Sequence, residues 1–440
     1  MRPFPTRELF AAGLASCVGL TGLAGPAISQ ETGRIDELSA AIEQKVVDWR
    51  RDIHQNPELG NRETRTAALV AAHLRGLGYQ VTEGVGATGV VGVLEGGRPG
   101  PVVALRADMD ALPVEEQVDL PFASKARVEW NGEEVGVMHA CGHDAHTAIL
   151  MGAAEVLAGM RDELSGTVKL IFQPAEEGVP AGETGGSRRM LAEGAFDDPE
   201  PEVVFGLHVM TAMNTGAIGY RPGPILASSD TFDLKVTGKQ SHGAMPWAGI
   251  DPIVIGSQIV LGFQTIPSRQ LDVTDQPAVL TVGTFRAGTR YNIVPGEAEM
   301  TGTVRTYDEE MRAFIKERMK ETASLIAESG GGTAELTFRE DGYATTINDP
   351  ELTEAMLPSL QKVTDATVAL VPKSTPSEDF SFFAQRVPGL FLLVGATPPG
   401  TDPASAAPNH SPSFQIDEGS LLIGVRTLVT LTTDYMAMNS

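Results

Sequence analysis

The chain reads as an α/β protein. A mostly parallel sheet with helices on both faces is expected, with a ferredoxin-like α+β unit inserted into it. Three observations predict this. The runs Pro101–Leu105, Thr167–Phe172 and Val203–Leu207 are almost continuously apolar, as strands covered on both faces must be. Helical patterns alternate with strands, as crossover connections require. From about Ile218 the order changes to strand, helix, two strands, helix and strand, which is the split βαβ arrangement.

In chain order, residues 1–29 have a signal-peptide pattern. Arg2 and Arg7 precede the apolar run Leu9–Ala24 and the small-residue site Ala27-Ile28-Ser29. An exported chain, periplasmic or secreted and cleaved near Ser29, is the expectation. A lipoprotein box at Leu14-Ala15-Ser16-Cys17 is the less favoured alternative. Residues 30–217 are expected to form the first part of the larger unit, 218–343 the insertion and 344–440 the second part of the larger unit. Glu31–His54 and Arg62–Leu77 read as amphipathic helices, with His54 and His73 structural. Gly84–Gly89 has the spelling of a dinucleotide loop, but a strand follows it, so it reads as a turn. Ala145–Met160 is a helix, and the insertion runs from Phe232–Val236 to Ala334–Phe338. The helices Pro350–Val363 and Glu418–Met436 flank the strand Leu390–Val394 and the loop Pro398–Ser413.

The formal charge of −24 over 440 residues argues against nucleic acid or an anionic membrane as a partner. Past the N-terminus no stretch approaches the ~20 apolar residues of a membrane span.

The chemistry concentrates in His139-Ala140-Cys141-Gly142-His143-Asp144-Ala145-His146. It holds three histidines, one aspartate and the only cysteine besides Cys17. Thiolate and imidazole side by side suit a divalent metal, and a place ahead of a helix N-terminus favours the thiolate. Strand ends deliver further polar groups: Asp108, Glu176-Glu177 and His208. In open α/β sheets sites form at that edge. Neighbouring carboxylates in an extended segment point apart, so one ligates while the other handles protons. Cys141, His143, Glu177, His208 and His410 make a five-ligand set suited to two ions, and Asp108 is placed to orient an imidazole. His242, in the insertion, reaches the metals only by closure or from a partner subunit.

These segments resemble the aminoacylase and carboxypeptidase-type metallo-amidohydrolases, in the branch of hippurate hydrolases and indoleacetate–amino acid hydrolases. The likeness rests on Asp52–Leu59, Arg106–Pro113, His139–His146, Gln173–Gly178, Ser241–Pro246, Asn292–Pro295, Glu378-Asp379-Phe380 and Asn409–Pro412. It implies a catalytic unit with two divalent ions (Mn, Zn, Co or Ni) and a lid used for dimerisation, giving a homodimer or higher oligomer. It implies Glu176 as general base and acid, Asp108 behind the ligands and His242 at the oxyanion. Asn292, with Arg305, would bind the substrate carboxylate. Trp247, Thr375-Pro376-Ser377 and the long segment Val179–Ser187 depart from the family pattern around the pocket. The expected reaction is hydrolysis of N-acyl or N-aroyl amino acids, small hippurate-like molecules. A dipeptidase, an N-acetyl-diaminopimelate deacetylase and a non-catalytic metal- or ligand-binding protein are the alternatives.

Overall fold

The computed structural model describes residues 26–180 and 182–440. The signal-peptide and lipoprotein readings fall mainly on residues outside these. The central sheet has eight strands in the order Gln80–Val85, Gly89–Glu95, Ser165–Gln173, Arg98–Asp108, Val203–Asn214, Gly389–Thr397, Ile218–Tyr220, Val368–Leu370. The four strands from Ser165–Gln173 to Gly389–Thr397 run parallel. The glycine-rich turn at 84–89 closes an antiparallel hairpin, as expected from the strand after it.

One face of the sheet is covered by the helices Pro26–Gln55, His143–Gly159 and Gly419–Met438, whose Val46, Ile149, Leu150, Val425 and Leu428 share a core with Val103, Leu105 and Leu170. His143–Gly159 is buried almost all round, which explains why it has alanines and leucines and little polar surface. Glycine lets these helices approach closely: a Cβ on Gly424 would lie 2.5 Å from Ile149 Cδ1. Phe196, Phe380, Phe383 and Phe391 form the core on the other face.

The inserted unit is a four-stranded antiparallel sheet in the order Ala278–Ala287, Glu297–Thr306, Asp230–Thr237, Thr333–Phe338. Glu297–Thr306 alternates exposed and buried residues, so one face is covered, by the helices Pro252–Arg269 and Glu309–Ser329. The ferredoxin-like order is as expected, but its start moves. Ile218–Tyr220, placed in the insertion by the sequence reading, pairs with Gly389–Thr397 in the large sheet. Three residues are too few to show a period. The chain crosses between the two units twice, and the crossings meet at an antiparallel bridge between Ser229 and Tyr343.

Candidate metal centre

The carboxyl ends of the parallel strands, together with the turn before the helix His143–Gly159, bring the donors together. Val203–Asn214 carries His208, whose Nδ1 donates to the Val209 carbonyl (2.8 Å) and whose Nε2 lies 3.3 Å from Cys141 Sγ. The turn after Ser165–Gln173 carries Glu176 and Glu177. Its Ala175 adopts φ = 55°, a left-handed conformation unusual outside glycine, and its N–H donates to the buried Glu63 carboxylate at 2.8 Å. His410 comes from the distant loop. Its backbone N–H donates to Ala140 O (2.7 Å), while Asn409 Nδ2 donates to Cys141 O (2.8 Å). That seats His410 Nε2 3.2 Å from Cys141 Sγ and 3.0 Å from Glu177 Oε1. With its side chain 55% exposed, His410 forms the rim.

His143 completes the set. Its Nδ1 faces Asp110 Oδ1 at 3.1 Å, and its buried Nε2 has no hydrogen-bond partner among the described residues. A lone imidazole nitrogen, buried and aimed at a thiol, carboxylate and imidazole cluster, fits a metal ion. Cys141, His143 and His208 form one close donor group, and Cys141, Glu177 and His410 another. Cys141 is common to both.

Asp108 does orient an imidazole, most closely that of His146 rather than that of a candidate ligand. Its Oδ1 takes His146 Nδ1 (2.6 Å), and His146 Nε2 accepts from Val209 N (2.9 Å). His146 therefore has both nitrogens engaged and serves as a brace. The imidazole of the candidate ligand His143 is oriented by Asp110, whose Oδ2 also accepts from Glu177 N–H (2.8 Å). One carboxylate thus sets two candidate ligands; the sequence reading named Asp108 as the carboxylate orienting an imidazole and did not single out Asp110. Arg106, Glu63 and Tyr343 were also missed. Arg106 had a signal: a guanidinium inside an apolar strand needs buried partners. It reaches Asp108 (2.7 Å), Glu378 (2.9 Å) and Asp379 (2.9 Å).

Electrostatics points the same way. Burial first, then Glu177 and Glu176, pushes the Cys141 thiol well above its ordinary value, so the helix N-terminus alone does not make the thiolate. Burial, then Glu378 and Glu177, likewise raises Glu176. Burial opposes a charge on His143, yet Asp108 and Asp110 raise it to about 10. A divalent cation among these donors reverses each of these preferences. His139 is buried and held neutral, its value lowered to about 3 chiefly by burial.

A cavity of about 610 Å³ opens over the donors. Cys141, Glu176, Glu177, His208 and His410 line one side; Met210, Leu226 and Leu393 give an apolar wall, and Arg305 reaches it from the lid. The departing segment lies here too, since Ser374, Pro376 and Ser377 line the cavity and Thr375 O accepts from Arg305 Nη1 at 3.1 Å. His242 and Asn292 do not line it. They adjoin each other in the lid, where Gly243 N–H donates to Asn292 O (2.8 Å), and His242 is exposed. Trp247 is 79% exposed nearby.

A buried carboxyl beside a thiol–imidazole–carboxylate donor cluster, at the strand ends of a two-unit α/β scaffold, defines a metal-dependent hydrolase. Residues 104–434 match the model of peptidase family M20/M25/M40, and the chain belongs to that family. It is 43% identical over 395 residues to thermostable carboxypeptidase 1 of Saccharolobus solfataricus, covering 90% of this chain and 96% of that one. It is 41% identical over 317 residues to the N-acyl-L-amino acid amidohydrolase of Geobacillus stearothermophilus, covering 72% and 81%. Among solved structures, the Bacillus subtilis YXEP protein, described as a dinuclear metal-binding peptidase, superposes with a TM-score of 0.76 at 33% identity, covering 90% and 99%.

Proposed function

We propose that the enzyme hydrolyses the amide bond of N-acyl or N-aroyl amino acids, releasing a carboxylic acid and a free amino acid. The observation that carries this is the placing of the Glu176-Glu177 pair: Glu177 lies with Cys141 and His410, while Glu176 is buried against the same cavity, within reach of His143 and Glu177 but outside the two donor groups that share Cys141. Cys141, His143, Glu177, His208 and His410 would hold two divalent ions, of Mn, Zn, Co or Ni. When bound, such ions acidify water toward neutral pH and polarise a carbonyl. Glu176 accepts the proton of the attacking water and returns it to the leaving amine. Arg305 meets the substrate carboxylate, and Met210, Leu226 and Leu393 meet the acyl or aroyl group. The name of the Geobacillus relative supports this reading.

His242 and Asn292 lie outside the cavity of their own chain, and the lid exposes Trp247, Tyr291 and Leu261 at 79%, 95% and 71%. This supports a homodimer in which a second copy supplies His242 to the oxyanion. Export, with cleavage near Ser29, is the proposed route. Among the described residues no helix is long and apolar enough to cross a membrane. The Saccharolobus relative's name, a carboxypeptidase, favours a second reading, hydrolysis of the C-terminal peptide bond of peptides, for which a free dipeptide is the shortest probe.

The test uses the chain from Gln30 onward, stripped with chelator and refilled with each metal. Amine release from hippurate and acyl amino acids, exceeding that from free dipeptides, is the expected result. Cleavage of dipeptides alone would replace the proposal with the second reading. Metal binding with no turnover of either class would make the protein a binding protein.

A further inference from the structure

The Ala175-Glu176-Glu177 turn is held at three backbone points by side chains from elsewhere. Glu63 takes the Ala175 N–H, Asp110 takes the Glu177 N–H (2.8 Å each), and the Tyr343 phenol donates to the Glu176 carbonyl. The first two belong to the catalytic unit. Tyr343 belongs to the crossing that leaves the lid.

That crossing touches both units within a few residues. Tyr343 exchanges backbone hydrogen bonds with Ser229 on the other crossing (2.8 and 2.9 Å). Thr345 N–H donates to Glu309 of the lid helix (2.7 Å), and Thr346 Oγ1 donates to Glu378 O of the catalytic unit (3.1 Å). From the catalytic side, Arg188 lies over the Phe382 ring, 4.2 Å from its centroid, and donates to the carbonyls of Glu340 and Gly342. The segment is therefore clasped to the lid, to the catalytic unit and to the turn carrying Glu176.

We propose that Tyr343 is a positioning residue, whose hydrogen bond to the Glu176 carbonyl makes the placing of the Glu176 carboxylate depend on how the lid is seated. This rests on Glu176 being the proton carrier of the proposed amide hydrolysis. Tyr343 is half-buried and lines the same cavity, and removing only its hydroxyl leaves the ring in place. A carboxylate displaced by about 1 Å loses on the order of 100-fold in rate.

The experiment is a double-mutant cycle on the metal-loaded enzyme with Tyr343→Phe and Glu176→Asp, reading kcat, KM, metal per chain and Tm. Tyr343→Phe is expected to lower kcat by ~10- to 100-fold, with KM within about threefold and metal content unchanged. On the Glu176→Asp background, where the carboxylate is already displaced, the same change is expected to cost less than about threefold, the non-additivity of groups acting through one another. A kcat equal to wild type overturns the inference. So do losses that multiply in the double variant, which would give Tyr343 an action independent of Glu176, and so does loss of metal, which would make its role structural. Should Tyr343→Phe not fold, Arg188→Met loosens the same clasp and is expected to lower kcat by ~3- to 10-fold at constant KM; no change there overturns the inference too. Wild-type inactivity on every acyl amino acid and dipeptide would overturn the functional reading as well. Wild-type turnover matched by Tyr343→Phe would overturn this inference alone.

Discussion

Asp110→Asn should weaken metal binding far more than its nearly isosteric change suggests. Asp110 accepts from two sides, Glu177 N–H at 2.8 Å and His143 Nδ1–H at 3.1 Å. An amide has one acceptor oxygen and one donor nitrogen. If the oxygen stays with Glu177 N–H, the NH2 faces His143 Nδ1. The ring then takes the other tautomer, with its proton on Nε2, the atom needed for ligation. If the amide turns over, His143 keeps its tautomer but Glu177 N–H loses its acceptor. Either arrangement removes a charge-assisted hydrogen bond worth about 1.5–3 kcal/mol. Loss of a carboxylate behind a metal-bound histidine weakens affinity by about 10- to 100-fold, or about 1.4–2.7 kcal/mol, so the two estimates agree. Chelator competition at fixed pH, run on wild type, Asp110→Asn and Asp108→Asn, measures this. Asp108→Asn should weaken metal binding less, because Asp108 bonds most closely to His146, at 2.6 Å. An Asp110→Asn affinity within about threefold of wild type, or the larger loss in Asp108→Asn, would refute the assignment.

Other outcomes are as concrete. Glu176→Gln should keep the metal and lose at least ~100-fold in kcat, the usual contribution of a positioned base; unaltered turnover on hippurate-like substrates would remove Glu176 from its role. Cys141→Ala withdraws the donor shared by both ligand groups, so metal analysis after dialysis should show occupancy falling, and full retention would mean that the sulfur does not ligate. Asp144 accepts from Arg50 Nε and His54 Nδ1, both at 2.8 Å. Burial opposes its charge, but Arg50 and then His54 hold its folded value below the ordinary carboxylate range. A depressed carboxylate contributes stability that is present above its unfolded value, about 3.9, and lost as pH falls below it. Asp144→Asn should therefore cost about 3–5 kcal/mol in urea unfolding near neutral pH and flatten the acid limb of stability below about pH 4. An unchanged acid limb would assign acid unfolding to other carboxylates.

Cys141 and Glu177 were legible in the sequence because each sits in a turn at the strand-end edge of the parallel sheet, where sites form; His208 was found by the same rule, although its strand runs on to Asn214. The partners behind them were less so. Asp108 and Asp110 are two residues apart at one strand end, and only the fold decides which faces which histidine. Tyr343 and Glu176 are 167 residues apart, and a tyrosine in a connecting segment gives no sign of its acceptor. Ile218–Tyr220 has three residues, so it carried no period and was assigned to the wrong unit. His242 and Asn292 were named from the family resemblance, and they adjoin each other away from the cavity of their own chain.

The insertion also sets the order in which this site is completed during synthesis. Cys141, His143, Glu177 and His208 leave the ribosome before the lid, whereas His410 and the strand Gly389–Thr397 follow it. That strand lies between Val203–Asn214 and Ile218–Tyr220, in the middle of the finished sheet. Until it arrives, Val203–Asn214 presents an open edge, and the donor group of Cys141 and Glu177 lacks its third member. A nascent or truncated chain therefore carries most of the donors but not the complete centre. The donor centre is complete only once Gly389–Thr397 has joined the large sheet and His410 has followed it.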